Sequence, residues 1–174
     1  MTTYLLRMST EELVELKRII ESAEPTEALQ EVQKQIDIAL FQSRLKEGDW
    51  FKHQESGEVY HAYAVDHDWG QVWYFDPYTQ SESAWVDIEK VAPVTQEEIE
   101  QAKKRHEELT RRYEERYEMI NAFLEKNHPG GRFELVDRLD DEAFPEDIEV
   151  DGKVIGQYAW VGGSRYHYTV NMAD

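Results

Sequence analysis

The hydrophobic pattern of this chain changes its period near Gly48, and this change constrains the fold more than any other feature. Before Gly48, apolar residues recur every three to four positions, which predicts amphipathic helices. After it, apolar and polar residues alternate over short runs bounded by Gly, Pro, Asp and Ser, which predicts strands and tight turns. Helical spacing returns over 95–127 and alternation over 128–174. The sequence therefore predicts an α+β fold.

Four regions follow from this pattern. Residues 1–47 are predicted to form an N-terminal helical hairpin and residues 48–94 a small bent β-barrel. One long helix is predicted over 95–127, and a C-terminal β region with a β-hairpin and an acidic loop over 128–174. A chain of 174 residues suffices for one core of ordinary size or two small ones. We expect one compact unit with a protruding helix.

Capping boxes mark the start of two helices. Ser9 and Thr95 each stand three positions before a Glu. In such a pair the hydroxyl accepts a hydrogen bond from the Glu amide, and the Glu carboxylate accepts one from the amide of the Ser or Thr. The first box predicts a short helix over about 10–23, followed by a second helix that begins near Pro25 and ends near residue 45. The second box predicts a helix that runs to about Asn127. The apolar stripe of this long helix fits packing within the chain or a homodimer through the helix, and both remain open.

Negative charge is concentrated in the regions predicted to be β. The formal net charge is -18. Residues 48–94 contain nine acidic residues against two lysines, whereas residues 95–127 contain nine acidic against seven basic residues. An acidic surface repels nucleic acid and anionic membranes and favours basic partners. We therefore expect no direct nucleic-acid binding, no membrane association, and a partner protein with a basic surface.

The composition argues against enzymatic and metal chemistry. The absence of Cys excludes disulfides, thiol nucleophiles and thiolate metal sites. The acidic run over 137–151 lacks the alternating carboxylates and central glycine of a calcium loop. His61 and His67 lie near Asp66 and Asp68, but ordinary surface histidines explain them better than a metal site. No nucleophile motif or phosphate-binding loop stands out. The sequence predicts a non-enzymatic protein with no cofactor and no metal.

The N-terminal residues show no basic start before a long apolar run. No stretch approaches the roughly 20 apolar residues of a membrane span. We therefore expect a cytoplasmic location.

Aromatic residues crowd the predicted barrel more densely than it can bury, because alternation sends about half of them outward. Trp69 and Tyr78 fall in predicted turns, and these residue types are enriched at protein interfaces. Carboxylates in the same region and in the acidic loop are predicted to compete with phosphate for a basic surface. The predicted partner-binding residues are Asp66, Asp68, Trp69, Asp76, Tyr78, Glu82, Asp140, Asp141 and Asp147.

Residues 46–94 resemble the small Src-homology/Tudor-type barrels of phage and prophage accessory proteins. The resemblance is carried by four segments: Lys46-Glu47-Gly48-Asp49-Trp50-Phe51-Lys52, Glu58-Val59-Tyr60, Val72-Trp73-Tyr74-Phe75-Asp76-Pro77 and Ile88-Glu89-Lys90-Val91-Ala92-Pro93-Val94. It implies a barrel that binds peptides or nucleic acid through aromatic loops. This chain departs from that pattern, because Lys52 and Lys90 are the only Lys or Arg residues between 48 and 94. The departure argues against nucleic acid as the ligand.

By analogy with small, acidic, cysteine-free phage proteins, the chain is predicted to inhibit a nucleic-acid enzyme or a defence protein of a host cell by occupying a basic surface. A small-molecule or nucleotide-binding sponge, a minor hydrolase and an oligomeric structural phage component remain open as alternatives.

Overall fold

The computed structural model has an α+β fold, which confirms the predicted fold class. Helices occupy the N-terminal part and one long central segment, and the strands form two separate sheets. The structure describes residue 5 and residues 8–78, 81–136 and 144–170.

The chain separates into two compact units, whereas we expected one. The first unit comprises Met1–Asp76 and Glu82–Lys103. The second comprises Pro77–Ser81 and Lys104–Asp174. Each unit has a buried apolar core of its own.

The first unit begins with the predicted helical hairpin. Helix α1 spans Thr10–Glu21 and helix α2 spans Glu27–Arg44. The capping box is present: the Ser9 hydroxyl accepts from the Glu12 amide at 3.2 Å, and the Glu12 carboxylate accepts from the Ser9 amide at 2.8 Å. Apolar side chains fill the seam between the two helices. The buried residues of this seam are Leu5, Leu13, Ile36, Ala39 and Leu40.

The region predicted as a small barrel forms a curled antiparallel sheet, a half-barrel. Its described strands are β1 (Trp50–His53), β2 (Val59–Asp66), β3 (Gln71–Asp76), β4 (Ser81–Asp87) and β5 (Val91–Ala92). They lie in the order β4-β3-β2-β1-β5, so β5 returns to pair with β1. The sequence predicts one last strand over 83–91, but a 3₁₀ helix over Ile88–Lys90 separates β4 from β5. Phe51 and Val72 are fully buried in this sheet.

Helix α3 spans Gln96–Asn127, as the second capping box predicts. The Thr95 hydroxyl accepts from the Glu98 amide at 3.3 Å, and Glu98 Oε2 accepts from the Thr95 amide at 2.8 Å. The other oxygen of Glu98 accepts from the ammonium of Lys52 on β1. These contacts lower the pKa of Glu98 to about 2, first through Lys52 and next through the Thr95 amide. The start of α3 is thereby fastened to the sheet of the first unit.

Farther along α3, no residue between Lys104 and Met119 is buried. A homodimer through this helix remains a prediction.

The described strands of the second unit form a mixed sheet. They are β6 (Arg132–Leu135), β7 (Glu146–Val150), β8 (Lys153–Gly162) and β9 (Arg165–Val170). The order is β6-β9-β8-β7, in which β8 and β9 form the predicted antiparallel hairpin and β6 runs parallel to β9. The core lies between this sheet and the second half of α3. Its buried residues are Ile120, Leu124, Ile148, Ile155 and Tyr168.

Part of the predicted acidic loop is a strand. The sequence predicts a loop over 137–151, whereas β7 pairs antiparallel with β8 from Glu146 to Val150. Acidic residues in β7 obscured a short alternation in which Ile148 is fully buried. Strand pairing therefore prevails over the polar composition of this segment.

Candidate partner-binding site

The turn that joins β2 to β3 is shaped by one carboxylate. Asp66 Oδ1 accepts from the amide of Asp68 at 3.0 Å and from the amide of Trp69 at 2.9 Å. An Asp side chain that bonds amides two and three positions onward stabilises a tight turn. Asp66 therefore serves the geometry of the turn, whereas Asp68 is exposed at its surface.

Hydrogen bonds also tie this turn to its neighbours in the first unit. The Nε2 atom of His67 lies 2.8 Å from the carbonyl oxygen of Leu45, just after α2. The carbonyl of Gly70 accepts from the amide of Ile88 at 2.8 Å. The backbone around Trp69 is thus held on both sides, by the end of α2 and by the 3₁₀ helix.

Trp69 itself projects from the turn. Its side chain is 80% exposed, more than that of Trp85 on β4 at 50%. A scattered apolar surface residue needs no explanation, but a large aromatic ring on a fixed turn is a candidate contact for a partner.

A cleft of about 530 Å³ lies beside Trp69 in the first unit. This volume falls within the roughly 300–1,000 Å³ of ligand-binding clefts. Residues of the helical hairpin form one part of its lining, and the Trp69 turn with the 3₁₀ helix forms another. The apolar residues that line it are Leu5, Met8, Leu13, Ala39 and Ile88.

Gln42 of α2 also lines this cleft, although the residue is only 1% exposed. Its Nε2 donates to the carbonyl of Val91 at 2.8 Å and to the carbonyl of Glu89 at 3.3 Å. The two carbonyls define the orientation of the amide, because only its nitrogen can donate. Its Oε1 is buried without a hydrogen-bond partner among the described residues. Such an orphaned acceptor costs about 1–3 kcal/mol.

The charged lining of the cleft is more acidic than basic. Asp87 and Glu89 supply two carboxylates, and Lys90 supplies one ammonium. Lys90 Nζ lies 3.8 Å from Asp87 Oδ2 and 3.8 Å from Glu55 Oε1, so these carboxylates already share its charge. The exposed carboxylate of Asp68 adds to the excess next to Trp69. The local potential therefore favours a cation.

Two other predicted residues have structural partners. Asp76 is half-buried at the end of β3, and it follows burial as the second cause that raises the pKa of Tyr74. The hydroxyl of Tyr78 accepts from Arg105 Nη1 at 2.9 Å within the second unit. Tyr78 is therefore half-buried beside α3, and its role as a partner-binding residue stays a prediction.

The structure brings Asp66, Asp68 and Trp69 together in one turn. Asp147 belongs to the second unit, where its Oδ1 accepts from Gln157 Nε2 at 2.8 Å. Glu82 lies in β4, and its side chain is not among those described. Asp140 and Asp141 lie outside the described residues.

Sequence reasoning missed the cleft and its buried amide. Gln42 lies at the edge of the apolar stripe of α2, beside the buried residues Ala39 and Leu40. A glutamine at the edge of such a stripe is the only local signal that could have indicated a buried polar contact.

Comparisons with known proteins identify no relative. No family model matches the chain, and neither the curated proteins nor the solved structures provide a match. In the part of the chain that the structure describes, no group of three His, Asp or Glu side chains could hold a metal ion. Over the same residues, no helix combines the length and the apolar character needed to cross a membrane.

Proposed function

We propose that this chain is a non-enzymatic protein-binding module whose Trp69 turn docks on a basic surface of a partner protein. One observation carries the proposal: the Trp69 side chain is 80% exposed on a turn that hydrogen bonds hold on both sides. A ring left in water contributes little to folding. Trp is also the residue type most enriched among the few residues that dominate binding energy.

The fixed backbone of the turn supports this role. Docking costs free energy when it must order a flexible loop, and a turn already ordered by Asp66, His67 and Gly70 avoids much of that cost. The cleft beside Trp69 provides a concave surface next to the projecting ring. A partner can therefore both cover the ring and place a side chain in the cleft.

Charge supports a basic partner. The chain carries a formal net charge of -18, and the Trp69 turn and the cleft contribute exposed carboxylates. Such a field accelerates encounter with a positively charged surface and makes binding sensitive to salt.

We further propose that the partner surface normally binds phosphate, as in a nucleic-acid enzyme of a host cell, and that this chain inhibits the partner by occupying that surface. The carboxylates of Asp68, Asp87 and Glu89 would then take the place of phosphates, and Trp69 would anchor the contact. The excess of carboxylates around the cleft supports this form of the proposal.

The test starts with immobilised full-length chain in host-cell lysate at low and high salt, with retained proteins identified by mass spectrometry. Each retained protein is then purified, and its Kd is measured with wild type, Trp69→Ala and Trp85→Ala. We expect Trp69→Ala to weaken binding about 30-fold, equivalent to about 2 kcal/mol. Trp85→Ala is the matched control, because Trp85 is also exposed in the first unit but does not line the cleft.

Equal Kd values for Trp69→Ala and wild type would contradict the docking site. A DNA or RNA oligonucleotide should displace the chain from an authentic partner in competition. A partner that binds nucleic acid and this chain at the same time would contradict the inhibitory form of the proposal while leaving the docking site in place.

A further inference from the structure

We infer that the cleft beside Trp69 holds an arginine side chain of the partner protein. This inference rests on the proposed function, since it names the group that the partner places at the Trp69 turn. Part of the cleft lining comes from the hairpin helices α1 and α2. The site therefore combines the hairpin with the sheet and extends beyond the barrel-like region over 46–94.

The charge of the cleft lining favours a cationic occupant. Among the described residues that line the cleft, Asp87 and Glu89 are acidic and Lys90 is the one Lys or Arg. Lys90 Nζ already lies within 3.8 Å of carboxylate oxygens of Asp87 and Glu55. A cationic group that enters the cleft meets a net negative lining. An anionic or phosphorylated ligand would meet the same lining at a cost, which disfavours a nucleotide as the occupant.

The side chain of Gln42 supplies a hydrogen-bond acceptor that no described residue uses. Gln42 Oε1 is buried with no donor among the residues that the structure describes, and Gln42 lines the cleft. A donor in the cleft would satisfy it after a shift of the Gln42 side chain that exposes the oxygen, whereas an apolar side chain would leave it orphaned. Guanidinium offers five N–H donors in a fixed plane, so one edge can meet the Asp87 carboxylate while another donates to Gln42 once that shift has occurred.

The exposed indole of Trp69 favours arginine over lysine as the occupant. The planar guanidinium stacks on an aromatic face and keeps its N–H groups free for acceptors, whereas an ammonium is more strongly hydrated. Trp69 supplies an exposed indole at the cleft. The aliphatic part of an arginine can lie along apolar lining such as Leu13 and Ile88. The indole of Trp69, the acceptor of Gln42 and the carboxylate of Asp87 are therefore all complementary to an arginine side chain.

The experiment compares three blocked peptides in which glycine alternates with arginine, with lysine or with citrulline. Binding to the full chain and to each variant is measured by isothermal titration calorimetry. In the wild type, the indole N–H resonance of Trp69, assigned by its loss in Trp69→Ala, reports contact of the peptide with the ring. We expect the arginine peptide to bind about tenfold tighter than the lysine peptide. The citrulline peptide, which keeps the shape but loses the charge, should bind weakest.

Variants locate the preference. Trp69→Ala and Asp87→Asn should each remove most of the difference between the arginine and lysine peptides. Trp85→Ala and Glu24→Gln are the controls, because neither residue lines the cleft and both are exposed. Gln42→Met should also reduce the preference for arginine. If that variant does not fold, Trp69→Ala and Asp87→Asn decide the question.

Each outcome distinguishes this inference from the proposed function. Equal, salt-sensitive binding of the arginine and lysine peptides would overturn the arginine site and leave docking on a basic surface intact. An arginine preference that survives both Trp69→Ala and Asp87→Asn would place the site elsewhere and overturn the inference. Absence of binding by either cationic peptide would overturn the arginine site, and the Kd values of wild type and Trp69→Ala with a purified partner protein would still decide the docking site.

Discussion

Gln42 and Gln54 donate to the same two carbonyl oxygens, those of Glu89 and Val91. Gln42 Nε2 lies 3.3 Å and 2.8 Å from these oxygens, and Gln54 Nε2 lies 3.0 Å and 2.9 Å from them. Gln42 belongs to α2, whereas Gln54 follows β1. The short segment that contains the 3₁₀ helix and β5 is therefore held from the helical hairpin and from the sheet at once.

This shared pair of acceptors predicts unequal and coupled costs of substitution. Gln42→Ala should lower the free energy of unfolding by about 2–4 kcal/mol, because it removes one buried and one partly buried hydrogen bond and leaves a cavity. Gln54→Ala should cost about 0.5–1.5 kcal/mol, since Gln54 is exposed. The double variant should lose more than the sum, because both carbonyls then lack their side-chain donors. Urea unfolding of the four proteins tests this, and simple additivity would contradict the coupling.

The contact between Lys52 and Glu98 predicts a dependence of stability on pH. The pKa of Glu98 is lowered from 4.5 to about 2, so the folded state holds its carboxylate ionised where the unfolded chain begins to bind a proton. The contribution is full above pH 4.5 and is lost as the pH falls through about 2. The stability difference between wild type and Glu98→Gln should therefore be constant near neutral pH and shrink in acid.

Urea unfolding across this pH range measures that difference. Glu97→Gln is the matched control, since it removes a carboxylate from the same turn and leaves the Lys52 contact in place. The same pH profile in both variants would show that the contact with Lys52 is not the cause.

Gly156 is predicted to be intolerant of a side chain. A Cβ there would lie 2.5 Å from Ile120 Cδ1 and 2.5 Å from the carbonyl oxygen of Thr169. Gly156→Ala should therefore destabilise the second unit by about 1–3 kcal/mol through overpacking. Ile120→Val removes the first clash but not the second, so it should rescue only part of the loss. Thermal unfolding of the single and double variants tests this, and full additivity of the two substitutions would contradict the proposed clash.

The buried residue of β7 provides a test of that strand. Ile148 is fully buried in the core of the second unit, so Ile148→Ala should cost about 2–5 kcal/mol. Its exposed neighbour Glu149 is the control, and Glu149→Ala should change stability by no more than about 0.5 kcal/mol. Chemical denaturation measures both. Similar small effects would indicate that the segment is the loop that its composition suggests.

Local signals predicted the helices well. Ser9 and Thr95 cap α1 and α3 with the hydrogen bonds that their capping boxes require, and α3 ends at Asn127 as its sequence indicates. Alternation predicted the β8–β9 hairpin with a turn at Gly162-Gly163, and the structure forms this hairpin with the turn one residue later, at Gly163 and Ser164. These features depend on hydrogen bonds between residues close in sequence, so a short segment is enough to predict them.

Features that depend on distant partners were not predictable. β7 is rich in acid, and only its pairing with β8 shows that Ile148 faces a core. The candidate site shows the same limit. The exposure of Trp69 followed from its predicted turn, but the cleft depends on the packing of α2 against the 3₁₀ helix, which Gln42 contacts through the carbonyl of Glu89. A pattern along one segment does not reveal which segment will cover it.

The parallel pairing of β6 with β9 also sets an order for the assembly of the second unit. Arg132 pairs with Arg165 and Leu135 with Tyr168, so β6 has no described strand neighbour until the ribosome has delivered the last strand of the sheet. β8 and β9 are adjacent in sequence and can pair as a local hairpin. β6 can pair with β9 only after all residues between them have been synthesised, and this pairing closes a long loop. The complete sheet of the second unit can therefore form only after β9, its last strand in the chain, has been synthesised.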